Sequence, residues 1–148
     1  MVRALALAAA LVLTACGRTH PLRDGSYGFT VTEVVRDDCG EASRPELMSG
    51  GALQTHGHEV RFDTGFFDVK LVGQYLSGTE SMRLDGSAAN VVTTVQTRQC
   101  LLDLVTMTME ASTLDPASFE GQLSAKYEPN RPADCGCETW VRFSAVMK

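Results

Sequence analysis

Hydrophobic and polar positions follow two different rhythms along this chain. Ala4 to Leu13 is an unbroken apolar, helix-favouring run behind a single base, Arg3. From Ser26 onward the period is two. Tyr27, Phe29 and Val31 alternate with Gly28, Thr30 and Thr32, and the segment closes in the turn-like Asp37-Asp38-Cys39-Gly40. Strict alternation of this kind predicts a half-buried strand. Glu41 to Gly51, carrying Pro45 and two glycines, reads as a loop. Leu53–Thr55 and Glu59–Phe62 read as hairpin arms around His56-Gly57-His58, where glycine supplies the positive φ that such turns need.

The same rhythm continues to the last residue. Phe67, Val69 and Leu71 alternate with Asp68 and Lys70 in a segment reaching Tyr75, and Ser81–Leu84 predicts a short strand closed by Asp85-Gly86. Val91–Thr97 and Leu101–Met109 are rich in β-branched residues, with Val105, Met107 and Met109 facing away from Thr106 and Thr108. After the Asp115-Pro116 break, Phe119, Gly121, Leu123, Ala125 and Tyr127 share one face. In the final strand Val141, Phe143, Ala145 and Met147 oppose Trp140, Arg142 and Ser144. No segment carries an amphipathic helical stripe. Eight or nine short strands between turn signals predict an all-β protein, an antiparallel meander of about eight strands. It would form either a small lipocalin-like barrel or a sandwich. The last strand is expected to pair with the first, since closure removes unprotected edges.

The opening run is too short to span a membrane. Ten helical residues cover roughly 15 Å, half of a bilayer core of about 30 Å. A basic start, an apolar core and small residues after it make a secretory signal peptide. The run ends in Leu13-Thr14-Ala15-Cys16, which resembles the lipobox of bacterial lipoproteins. That resemblance covers the first 16 residues. It implies diacylglycerol on Cys16 through a thioether, cleavage before that residue and acylation of the new amino terminus. Two or more acyl chains hold a protein to a bilayer durably. Gly17, rather than Asp, follows the cysteine; by the sorting rule of enterobacterial lipoproteins this implies the outer membrane. The expected organisation is a signal peptide over 1–15, a lipidated tether over 16–25 and a single β domain over 26–148. Ten Arg against three Lys, with abundant Ala, Gly and Val, suggest a GC-rich bacterial genome. The chain resembles small uncharacterised envelope lipoproteins of GC-rich Gram-negative bacteria in its cysteine-glycine turn after the first strand and its aromatic last strand. That likeness brings no activity with it.

Charge and cysteines narrow the setting. Loss of Arg3 with the signal takes the formal charge from −5 to −6, which argues against nucleic acid and against anionic headgroups as partners. Five cysteines are awkward for an exported chain, but lipid on Cys16 leaves Cys39, Cys100, Cys135 and Cys137 to form two bridges in an oxidising compartment. A bridge within Cys135-Gly136-Cys137 would close a very small ring, which disulfide geometry disfavours. Cys39 and Cys100 are therefore each expected to reach one member of that pair, with the choice of member open.

Few residues carry chemistry. His56 and His58, Cys135 and Cys137, and Met107 and Met109 are the soft ligands that suit copper or zinc. The histidines fall at a hairpin tip and the cysteines are better used as bridges, so neither a metal nor another cofactor is expected. Asp37, Asp38 and Glu41 could supply oxygen ligands to calcium, but acidic residues in turns are commonplace and a solvated turn is the reading adopted. No G-x-S-x-G elbow and no H-E-x-x-H helix occurs, so no catalytic residue is assigned. Trp140 beside Arg142, on the face opposite Val141 and Phe143, has the composition of a contact patch. These readings converge on a membrane-anchored, non-enzymatic envelope lipoprotein that binds a partner protein or surface polymer. Two alternatives stand beside it. One is a lipocalin-like carrier of a small apolar ligand, although the Gly-x-Trp signature of lipocalins is missing. The other is an inhibitor of an envelope-degrading enzyme such as lysozyme, without a match to the inhibitory-loop motif of such proteins.

Overall fold

The computed structural model describes residues 22–44, 49–76 and 79–148. The segment 1–21, with the lipobox and Cys16, lies outside the described residues. Eight antiparallel strands form a closed barrel in chain order: β1 (Gly25–Asp37), β2 (Gly51–His56), β3 (Glu59–Thr64), β4 (Lys70–Tyr75), β5 (Ser81–Val95), β6 (Arg98–Asp115), β7 (Ser118–Arg131) and β8 (Cys137–Met147). A 3₁₀ turn, Ala133–Cys135, precedes β8. Closure is between the first and last strands, from Tyr27 opposite Met147 to Asp37 opposite Thr139. The architecture is thus a barrel and not a sandwich. The β2–β3, β4–β5 and β6–β7 turns share one end with Leu22 and Lys148, here called the lower end. The β1–β2, β3–β4, β5–β6 and β7–β8 connections form the upper end.

The alternating residues fill the barrel axis with aromatic rings. Phe29 stacks on Phe62 at 5.2 Å and on Phe143 at 4.5 Å between ring centroids. Phe119 meets all three edge-on, and Tyr27 packs on it at 5.3 Å. Such pairs add about 0.5–1.5 kcal/mol each beyond the area they bury. Leu53, Leu71, Leu84, Met82, Met107, Met109 and Leu123 complete the core around them.

Below this cluster Leu22 is buried in the barrel mouth, and its amide donates to the Tyr75 hydroxyl at 3.4 Å. The Tyr27 hydroxyl donates to the Arg23 carbonyl at 2.8 Å, and the Arg23 amide to the Pro116 carbonyl at 2.8 Å. The Asp24 carboxylate accepts from the amide and the hydroxyl of Thr55, both at 2.8 Å.

Several local expectations needed correction. Asp85-Gly86 does not end a strand, because β5 runs through it to Val95. Asp85 points outward, accepts from the Thr108 hydroxyl at 2.7 Å and pairs with Arg83 at 3.2 Å. A side chain on Gly86 would collide with the Lys70 carbonyl, so this glycine serves a close approach of β4 and not a turn. Further along, Met82, Leu84 and Ala88 face inward, as do Val91, Thr93 and Val95. The alternation changes phase at Asn90, which has φ of 54°. Phe67 and Asp68, read as strand, instead make the β3–β4 turn with φ of 51° and 54°. The hairpin about Gly57 forms where its glycine predicts, with His56 opposite Glu59 and φ of 64° at Gly57.

Candidate functional site

Trp140 sits on the outer face of β8, 41% exposed, opposite Arg36 of β1 on one side and Ser124 of β7 on the other. Its orientation follows from the parity of the strand, whose buried residues are Thr139, Val141, Phe143 and Ala145. Arg36 holds Asp38 at 2.6 Å and Glu138 at 3.0 Å, and the hydrogen bond to Asp38 raises its pKa above the ordinary guanidinium value. Arg142, two residues beyond the indole, holds Glu33 at 2.8 Å. These pairs are exposed, so they orient the guanidinium groups more than they stabilise the fold. The result is an indole flanked by two fixed cations, each already engaged by carboxylates. Beside it, β1 is irregular between Val31 and Arg36, which leaves Val34 and Val35 half exposed.

The upper end is built differently. Cys39 bridges Cys137 and Cys100 bridges Cys135, with Cα separations of 5.3 and 6.0 Å. Both partners of the Cys135-Gly136-Cys137 pair are used, and the pair itself is not bridged. Two disulfides place the domain in an oxidising compartment outside the cytoplasm. The bridge to Cys39 draws the following loop into the barrel. Glu41 is fully buried, ion-paired to Arg44 at 2.8 Å. Arg44 donates to the Thr93 hydroxyl at 3.3 Å and to the Thr94 carbonyl, spanning from the loop to β5. Asp37 closes the network, accepting from the amides of Glu41 and Ala42 at 2.8 and 3.1 Å and from the Thr139 hydroxyl at 2.7 Å. The buried Tyr127 phenol is pushed well above its ordinary pKa, first by burial and then by the Glu41 carboxylate.

The sequence places Glu41 in a solvated turn; the structure instead buries it completely. The signal that could have found it is its position two residues from a cysteine that must bridge to the other end of the chain. Arg44 and Tyr127 carried no sequence signal beyond residue type and parity.

The remaining candidates are dispersed. His56 and His58 are exposed at the lower end, whereas Cys135 and Cys137 are bridged at the upper end, and Met107 and Met109 lie in the core. Among the described residues no group of three metal-ligating side chains comes together. The larger concave spaces are open outer grooves. One of about 630 Å³ is lined by Asp24, Ser26, Gln54, His56, Glu59 and Arg61; one of about 650 Å³ is lined by Leu76, Met82, Arg83, Ala111, Glu120 and Gly121. The chain matches no known protein family, no curated protein and no solved structure. What it can do is therefore read from its own surface, where Trp140 and its two guanidinium neighbours are the most differentiated feature. Among the described residues no helix is long and apolar enough to cross a membrane.

Proposed function

We propose that this protein is a bacterial envelope lipoprotein, tethered through lipid on Cys16, that binds a partner protein or surface polymer through the Trp140 face and performs no catalysis. The observation that carries this reading is the exposed indole held between Arg36 and Arg142, each fixed by carboxylates. An aromatic ring flanked by pre-oriented guanidinium groups is the composition of a binding hot spot, because little side-chain entropy remains to be lost on contact. The aromatic packing along the barrel axis supports this role over that of a ligand carrier, whose cargo needs an enclosed apolar cavity. Outer-membrane residence rests on the lipobox and on Gly17.

Two measurements test it. A photoreactive phenylalanine analogue at position 140 should give a discrete adduct in intact cells, and Arg142→Glu should abolish that adduct. Absence of any adduct with the unaltered Arg142 overturns the contact role. Cys16→Ala should shift the protein from the membrane to the soluble envelope fraction; unchanged fractionation refutes the tether.

A further inference from the structure

Among the described residues, the exposed large apolar side chains divide by height along the barrel. Val34, Val35, Val92, Leu101 and Trp140 lie toward the upper half, Val72 stands midway along β4, and Leu76, Leu114 and Val146 lie at the lower rim. The lower three are brought together by turns. The Leu76 amide bonds the Ser81 carbonyl at 2.9 Å, the Thr113 amide bonds the Glu80 carbonyl at 3.0 Å, and the Met147 amide bonds the Ala117 carbonyl at 2.9 Å. These bonds sew the start of β5, the end of β6 and the end of β8 into one arc of the rim. Leu114 and Val146 are each 58% exposed, and Leu76 is 49% exposed. Leu22, the first described residue, is buried at this same end.

We infer that the lower rim rests on the bilayer surface, with Leu76, Leu114 and Val146 seated against lipid. This rests on the lipid tether proposed above. Leu22 is six positions after Cys16, a reach of at most roughly 20 Å, so the rim is the part of the domain nearest the membrane. The surface it fits is zwitterionic. Asp24, Glu80 and Asp115 border the rim and outnumber its cations, Arg23 and Lys148; the Asp115 carboxylate is held by the Ser118 hydroxyl at 2.6 Å and the Ala117 amide at 2.7 Å. An anionic surface would meet these carboxylates unfavourably. Seating also sets orientation: the disulfide-bridged end points away from the membrane, and Trp140 stands six residues up β8 from Val146, about 20 Å along the strand.

The chain's single Trp makes this measurable. Lipidated protein is reconstituted in phosphatidylcholine vesicles whose acyl chains are brominated close to the headgroup. Emission from the native Trp140 should be unchanged, whereas an indole introduced as Leu114→Trp in a Trp140→Phe background should lose emission. Adding Leu76→Asp and Val146→Asp should restore that emission while the protein still floats with the vesicles. Flotation without quenching at position 114 overturns the seat and leaves the tether standing. Failure to float removes the tether, and the seat falls with it.

Discussion

At the lower end of the barrel Leu22 fills the mouth, and the Tyr27 and Tyr75 hydroxyls join it to backbone and to neighbouring strands. At the upper end the same task falls to two disulfides and a buried carboxylate with its guanidinium partner. At the lower end neighbouring turns bond one another through backbone, as the Thr113 amide does to the Glu80 carbonyl and the Met147 amide to the Ala117 carbonyl. The described start of the β1–β2 connection, Asp38–Arg44, reaches across to β5 through Arg44 and brings the charge of Glu41 inside with it. Cross-linking and ion pairing at the upper end do what apolar packing does below. The comparison teaches that burial of Glu41 depends on covalent and electrostatic partners, whereas burial of Leu22 does not.

Removing the Cys39–Cys137 bridge is the largest way to break this comparison. Cys39→Ser with Cys137→Ser should lower unfolding free energy by about 2–5 kcal/mol in denaturant titration. Hydrogen exchange should accelerate at the amides of Glu41, Ala42 and Arg44, with the Arg23 amide at the lower end still protected. Equal loss of protection at both ends would show that the ends are not separate. Next comes the ion pair. Arg44→Met removes the guanidinium beside a buried carboxylate and should cost about 2–4 kcal/mol, at the lower side of the buried-pair range because Arg44 is partly exposed. Adding Glu41→Gln should recover part of this loss, and no recovery in the double mutant would contradict the pairing.

The smallest effect separates the ends by pH. Burial raises the Tyr127 phenol most, with Glu41 adding to it, and burial followed by Tyr75 raises Tyr27 by less. Unfolded phenols ionise near pH ~10, while the folded ones keep their protons. Their contribution is therefore complete below that value and is lost as pH rises beyond it. Tyr127→Phe should flatten the alkaline limb of the stability profile more than Tyr27→Phe does. An equal effect from the two substitutions would place the main alkaline sensitivity elsewhere.

How much of this was legible before folding depended on whether the deciding contact was local. The runs Phe119–Tyr127 and Val141–Ala145 could be read because each residue's burial follows from strand parity alone. The cysteine pairing was legible to the level of which pair is not bridged, since ring size excluded it. Gly86 was misread because a glycine at a turn and a glycine admitting a neighbouring carbonyl look the same in sequence. β5 could not be seen as one strand because its inward face changes phase at Asn90. Glu41 was misplaced because its burial is imposed by a cysteine 98 residues downstream of Cys39. At the candidate site, the parity of Trp140 and Arg142 was readable, but the pairing of Arg142 with Glu33 on β1 and of Arg36 with Glu138 on β8 needed the closed barrel.

The Cys39–Cys137 bridge, between the turn after β1 and the start of β8, also sets how the domain bears load. With a partner held at Trp140, a pull on the amino-terminal end draws β1 lengthwise past β8, so their hydrogen bonds are strained together in shear. If β1 slips, extension stops at Cys39, because force then passes through sulfur directly into β8 at Cys137. Everything between those two cysteines is a covalent ring that carries no tension. A domain held by its leading end can therefore lose one strand under strain and keep the rest of its chain out of the line of force.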